Sequence, residues 1–120
     1  MVSAELSGPT SDAWLLGTSV GLLSLALEGI EQGAVDAGLP RDTARAFVRQ
    51  MVLTTAVLLQ DPGRSPADLK DRVASPGGTT IAGLAVLEDH AVRGAFIRGV
   101  EMGSKRDGGP RDAEGSRVIE

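Results

Sequence analysis

Residues 75–84 decide how this chain is interpreted, and they read Ser-Pro-Gly-Gly-Thr-Thr-Ile-Ala-Gly-Leu. Pro76 restricts its own φ and keeps Ser75 out of the α region, while the two glycines that follow can adopt a positive φ. Either threonine can then cap an apolar helix, whose first N–H groups point outward and favour a carboxylate or phosphate. The stretch predicts an anion-binding turn, and a purely structural turn is the alternative.

Outward from this turn, apolar spacing and capping residues predict further helices and no strand. Proline at a first helical position, acidic residues in a first turn and glycine after a last turn mark the boundaries. The predicted helices run from Ser11 or Asp12 to Gly38, from Pro40 (at N1) to about Leu59, from a Ser65 cap through Val73, from Thr80 to about Glu88, and from about Ala91 to about Lys105.

The first helix is uncharged from Ala13 to Leu27. Fifteen residues fall short of the roughly 20 needed to cross a bilayer, and no basic segment precedes them, so we expect a buried helix and no membrane partner. Glycines at 17, 21, 29 and 33 form a row along which another helix can approach closely. A helix that is apolar on more than one face needs several neighbours, which predicts a central position in a dimer.

Composition fits one small domain and excludes several functions. The net charge of −4 argues against nucleic acid as a partner, because nucleic-acid binding requires clustered Lys and Arg. With no cysteine there is neither a disulfide framework nor thiolate chemistry, which fits a cytoplasmic protein. No strand is followed by G-x-G-x-x-G, so we expect no nicotinamide cofactor on these residues.

Three segments carry a family resemblance: Gly38-Leu39-Pro40-Arg41, then Leu69-Lys70-Asp71, then the run from Val73 through Leu87 with Glu88. They resemble the C-terminal helical dimerisation domain of pyrroline-5-carboxylate reductase, the last enzyme of proline biosynthesis, over roughly residues 17–105. The resemblance implies an all-α, interlocked helical bundle dimer with four to five helices per subunit. It also implies that the turn at residues 75–80 binds the substrate carboxylate.

The resemblance sets the expected domain organisation. Residues 1–11 are expected to be an N-terminal extension, residues 12–105 the helical dimerisation-type domain, and residues 106–120 a disordered tail of mixed charge. A homodimer is the expected assembly, with a higher oligomer left open, and a small molecule is the expected ligand.

The start of the first helix departs from the family. Where the family has Ser-Gly-Ser-Gly-Pro-Ala before an aromatic residue, residues 16–22 read Leu-Gly-Thr-Ser-Val-Gly-Leu. Together with the missing cofactor motif, this favours a cofactor-free cyclase or isomerase of secondary metabolism, with an apolar substrate in the dimer cleft. One alternative is a fragment or split subunit of the reductase. Another is a non-catalytic dimeric binding or scaffold protein.

The candidate site combines the turn with polar and apolar residues elsewhere. Glu28 lies among apolar residues and would have an altered proton affinity if buried, although a packing role is favoured. His90 is the single histidine, which leaves no multi-histidine metal site, and a helix-junction role is favoured for it. The expected catalytic residues are Ser75, Thr79, Thr80 and Glu28, the expected ligand-binding residues are Gly77, Gly78, Trp14 and Met51, and no metal or cofactor is expected.

Overall fold

The computed structural model describes residues 12–74 and 78–108, which form five helices and no strand. The all-α prediction is therefore confirmed for this part of the chain. The helices are α1 (Ala13–Asp36), α2 (Arg41–Leu58), α3 (Pro66–Val73), α4 (Thr79–Asp89) and α5 (Val92–Arg106).

Helix α1 ends where the sequence predicts, at a glycine in the left-handed conformation. Gly38 has a φ of 116°, and its N–H donates to the Val35 carbonyl at 3.0 Å. The N–H of Leu39 reaches back to the carbonyl of Ala34 at 3.1 Å, so the last carbonyls of the helix are satisfied. By length and composition alone the 24-residue helix could span a membrane. Core helices of soluble proteins pass the same test.

Helices α2 and α3 begin with different capping arrangements. Pro40 is the N-cap of α2 and not its first residue, with φ −59° and ψ 147°, which corrects the predicted start by one position. Helix α3 begins with a complete capping box, in which the Ser65 hydroxyl accepts from the Asp68 N–H and the Asp68 carboxylate accepts from the Ser65 N–H, both at 3.1 Å. The predicted bounds of α3, including its N1 proline, are confirmed.

Helices α4 and α5 are separated by a sharp break. Ala91 has a φ of 54°, a left-handed conformation that is uncommon for a residue with a Cβ. Its N–H donates to the Glu88 carbonyl at 3.0 Å, so it terminates α4. The last predicted helix therefore restarts at Val92 and does not continue α4.

The described residues divide into two compact units, and α1 contributes to both. In the unit formed by residues 13–25 and 92–108, α5 packs on α1 through two glycines. A Cβ placed on Gly103 would lie 3.1 Å from Thr18 Cγ2 and 3.4 Å from Trp14 Cζ3. A Cβ on Gly99 would lie 3.5 Å from Leu22 Cδ1. The two helices are therefore close enough at Gly103 that a larger residue would displace a neighbour.

The unit formed by residues 26–91 holds α1 on α2 through an ion-pair cluster. Arg41 Nη1 lies 2.9 Å from Glu31 Oε2, and Arg45 Nε lies 3.1 Å from Glu31 Oε1. Arg41 also donates to Gln32 Oε1 at 2.6 Å, and Gln32 donates to Asp36 Oδ1 at 2.8 Å. The arginines of α2 thus hold the last turns of α1.

The described residues contain almost no core. Ala44 alone is buried, whereas seventeen large apolar side chains are exposed. Each Leu, Val, Ile or Phe that moves from water into an apolar environment contributes ~1.5–3 kcal/mol, so much stabilisation is unrealised in a single chain. The glycine row of α1 also faces open space, because a Cβ on Gly17, Gly21, Gly29 or Gly33 would have no neighbour within 4 Å.

Candidate functional site

The candidate anion-binding turn lies at the N-terminus of α4. Gly78 is the N-cap of this helix, with φ −86° and ψ 175°, and Thr79 and Thr80 occupy its first turn with exposed side chains. The expectations that a threonine caps the helix and that Gly78 adopts a positive φ are therefore wrong. The helix starts one residue earlier, and extended backbone at the cap needs no positive φ. Ser75 and Gly77 lie outside the described residues.

Electrostatics at this helix start favour an anion. The first turn of α4 contains no acidic residue, and Gly78 provides no side-chain cap. The Ala82 N–H donates to the Gly78 carbonyl at 3.3 Å, while the earlier N–H groups have no carbonyl of their own helix to bond. The partial positive charge at a helix N-terminus, equivalent to about +0.5, attracts a carboxylate or phosphate. Such a helix start can bind and orient a carboxylate, and the hydroxyls of Thr79 and Thr80 lie in the same turn.

A second feature is an apolar groove between α2 and α3. Its volume is about 610 Å³. Met51, one of the expected ligand-binding residues, contributes to its wall, and Lys70 is the only charged residue along it. The groove is lined by Phe47, Gln50, Met51, Thr54, Thr55, Leu58, Leu59, Pro66, Leu69, Lys70 and Val73.

Two other expected site residues lie in different surroundings. Trp14 contacts α5 at Gly103 and does not line the groove. The expected role of Glu28 in proton transfer requires burial of its carboxyl group. In the described part of the chain Glu28 is exposed on α1. Of the expected site residues that the structure describes, Gly78, Thr79 and Thr80 form the start of α4, and Met51 lines the groove.

His90 occupies the helix-junction position that was favoured for it. It is the C-cap of α4, and its Nδ1 lies 3.0 Å from the Val86 carbonyl, so Nδ1 carries the proton and donates. Residues 12–74 and 78–108 contain no group of three or more His, Cys, Asp or Glu side chains arranged to hold a metal ion. The same residues also lack the strand and glycine-rich loop of a dinucleotide site.

Sequence reasoning missed the pairing partner of the arginine stripe on α2. Arg41, Arg45 and Arg49 follow one another at i, i+4 spacing on α2 and all three are exposed, and two of them bind Glu31. Hydrogen bonds from Arg45 and then Arg41 lower the pKa of Glu31, and the same bond to Glu31 raises the pKa of Arg45. The available signal was Glu31, about two helical turns before the helix-ending Gly38, together with Arg41 and Arg45 at i, i+4 after that glycine.

The sequence matches one family model over most of its length. The model describes pyrroline-5-carboxylate reductase dimerisation and covers residues 13–109. A pyrroline-5-carboxylate reductase of Synechocystis sp. is 44% identical over 97 residues, which cover 74% of this chain and 36% of that protein. The reductase of Pisum sativum is 44% identical over 92 residues, covering 77% of this chain and 34% of that protein.

A solved structure agrees with these sequence matches. The crystal structure of Plasmodium falciparum pyrroline carboxylate reductase with NADP bound superposes with a TM-score of 0.69 at 26% identity. The match covers 75% of this chain and 36% of that one. The chain thus spans about a third of the length of the relatives it matches.

These matches overturn the favoured prediction of a cofactor-free cyclase or isomerase of secondary metabolism. The relatives named above are reductases, and the family model describes their dimerisation. They favour the alternative, in which the chain corresponds to part of a pyrroline-5-carboxylate reductase. The altered residues at the start of α1 therefore do not by themselves indicate a new reaction.

Proposed function

This chain belongs to the pyrroline-5-carboxylate reductase dimerisation family, and from that premise we propose that it is the helical dimerisation part of such a reductase. In this role it pairs with a second copy and supplies one wall of the substrate site. A dinucleotide-binding part would hold the reduced nicotinamide cofactor, which would supply a hydride to the imine carbon of pyrroline-5-carboxylate while the ring nitrogen takes up a proton, giving proline. From the same family membership we predict that the protein is cytoplasmic.

The absence of a core in the single chain is the observation that supports dimerisation. Among the described residues only Ala44 is buried, while apolar side chains on all five helices are exposed. Helix α1 is uncharged from Ala13 to Leu27 and α4 from Thr79 to Leu87, a pattern typical of helix segments enclosed on every side. A second copy that covers these surfaces supplies the missing apolar burial.

The start of α4 supports the proposed role in substrate binding. Uncapped by a described side chain and free of acidic residues in its first turn, it suits the carboxylate of pyrroline-5-carboxylate. Thr79 and Thr80 lie in the same first turn, and in this proposal their hydroxyls donate hydrogen bonds to that carboxylate. The residues of this chain would thus bind and orient the substrate, while the hydride comes from the cofactor.

A chimeric enzyme tests the proposal. Residues 13–109 of this chain replace the matching segment of the Synechocystis reductase, and the product is assayed for NADPH-dependent proline formation and for molar mass by light scattering. We expect a dimer or a multiple of it that is active. A chimera that is dimeric but inactive contradicts the substrate-binding role, and a folded monomer contradicts the proposal altogether. The unmodified Synechocystis enzyme is the control.

A further inference from the structure

We propose that Glu31, Arg41 and Arg45 form an ionic latch that closes the turn between α1 and α2 and opens as the salt concentration rises. The latch lies within residues 26–91, one of the two compact units. When it opens, the last turns of α1 move away from α2 and expose Ala44. This motion goes beyond the proposed function, which neither requires nor describes it.

The carboxylate of Glu31 is the centre of the latch. Its side chain is 16% exposed, and a carboxylate drawn out of water needs charged or hydrogen-bonding partners. Arg41 Nη1 donates to Oε2 at 2.9 Å, while Arg45 donates to Oε1 at 3.1 Å and to Oε2 at 3.3 Å. A further bond runs from Arg41 to Gln32 on α1. Glu31 therefore accepts three of the four hydrogen bonds that these two arginines donate to α1.

The latch spans a short turn with a glycine at its middle. Residues 37–40 join the two helices, and Gly38 has a φ of 116°. Glu31 lies seven residues before this glycine and Arg45 seven residues after it, so the ion pairs bridge the turn from both sides. Because glycine tolerates large changes of φ and ψ, the end of α1 can pivot at Gly38 once the ion pairs are broken.

Ala44 lies on the latch face of α2. Arg41, Ala44 and Arg45 follow i, i+3, i+4 spacing, so all three share one side of the helix. Ala44 is 0% exposed and is the one buried residue among residues 12–74 and 78–108. Since no large apolar side chain of the described chain is buried, apolar packing contributes little to closing this turn, and the ion pairs carry a larger share.

Salt should weaken the latch because both arginines reach solvent. The side chains of Arg41 and Arg45 are 43% and 51% exposed. The Debye length falls from about 10 Å at 0.1 M ionic strength to about 3 Å at 1 M, so exposed charges are screened over this range. Hydrogen bonds from Arg45 and then Arg41 also lower the pKa of Glu31, which keeps its carboxylate ionised at neutral pH. Salt and not protonation is therefore the variable near neutrality.

A cysteine under the latch measures its opening, because the chain has no native cysteine. Ala44→Cys places a small thiol at the buried position, and its rate of reaction with a maleimide reports local opening. We expect this rate to rise about 3- to 10-fold when Glu31→Gln is added, and similarly when NaCl is raised from about 0.1 M to about 1 M. The two effects should not add, because each removes the same ion pairs.

The matched control is Glu28→Gln, which removes the same charge from an exposed position of α1. It should change the labelling rate less than about twofold. Equal rates in the Glu31→Gln and Glu28→Gln variants would contradict the latch. A salt effect that persists in full after Glu31→Gln would contradict it as well.

Hydrogen exchange of the chain without the added cysteine gives an independent measurement if Ala44→Cys disturbs the fold. Exchange in residues 31–45 should be about 3- to 10-fold faster in Glu31→Gln, while residues 66–73 of α3 keep their rate. An equal acceleration in both segments would indicate global destabilisation and overturn the latch, and so would no acceleration in residues 31–45. Neither measurement depends on reductase activity, so a failed latch leaves the proposed function standing.

Discussion

Helices α3 and α4 follow one another in the chain, but their N-termini are built in opposite ways. Helix α3 closes its own start, because Ser65 and Asp68 exchange two hydrogen bonds and an acidic residue lies in the first turn. Helix α4 has Gly78 as its N-cap, which provides no side-chain hydrogen bond to the helix. The first turn of α4 contains no acidic residue. One helix start is closed by its own side chains, whereas the described residues leave the other uncapped, and this difference favours α4 as the proposed carboxylate site.

The largest expected effect comes from closing the start of α4. Thr79→Asp places a carboxylate in the first turn, where the dipole stabilises it, and repels the carboxylate of the substrate. We expect kcat/KM of the chimeric reductase to fall about 100-fold or more, a loss of ~2.7 kcal/mol, with helix content retained. The control Ala67→Asp adds the same charge to the closed start of α3 and should leave kcat/KM unchanged. A Thr79→Asp chimera with the kcat/KM of its parent would contradict the proposed carboxylate site.

A milder change tests the threonine hydroxyl alone. Thr80→Val keeps the shape of the side chain and removes the proposed hydrogen bond to the substrate, which would be worth ~0.5–1.5 kcal/mol. We expect kcat/KM to fall roughly 3- to 10-fold, while light scattering shows an intact dimer. Unchanged kinetics would contradict a role for this hydroxyl in substrate binding.

Substitutions at the closed start of α3 should change the free energy of unfolding and leave catalysis unaffected. Ser65→Ala removes one half of the capping box and should lower the free energy of unfolding by about 1 kcal/mol in a urea titration. KM should remain that of the parent chimera. Ser65→Asp, which can still accept from the Asp68 N–H, is the matched control and should recover most of the stability at neutral pH. If Ser65→Ala altered KM but not the free energy of unfolding, the start of α3 would act in substrate binding and not in stability.

The smallest expected effect is a loss of stability at low pH. The backbone N–H and then the hydroxyl of Ser65 lower the pKa of Asp68 below its ordinary 3.8, so the stabilisation is complete above that value. It is lost as the pH falls through the lowered folded-state pKa. The urea midpoint should therefore decrease at such low pH, and Asp68→Asn should remove part of that dependence. The part that remains includes Glu31, whose pKa is also lowered.

Local signals in the sequence were sufficient for α3 and for the end of α1. Ser65, Pro66 and Asp68 define a helix start within four residues, and Gly38 defines an end by its own conformational freedom. The α4 start was misplaced by one residue, because a glycine and a threonine can both occupy an N-cap and the choice depends on tertiary context.

Other features depend on residues far apart in the chain. The pairing of Glu31 with Arg41 and Arg45 joins residues ten and fourteen positions apart, across a turn whose geometry the sequence does not state. The groove between α2 and α3 likewise depends on how two helices pack. The function was mispredicted for another reason: a missing phosphate loop was interpreted as lost reductase chemistry, although dimerisation requires no such loop.

The isolation of Ala44 as the one buried residue of the described chain bears on how the protein folds. If most apolar burial is completed by a second copy, folding and association become one bimolecular reaction. The melting temperature should then rise with protein concentration, and dilution alone should unfold the protein. During synthesis, a newly made copy would remain exposed to aggregation and proteolysis until it met its partner, so its survival in the cell would depend on its abundance.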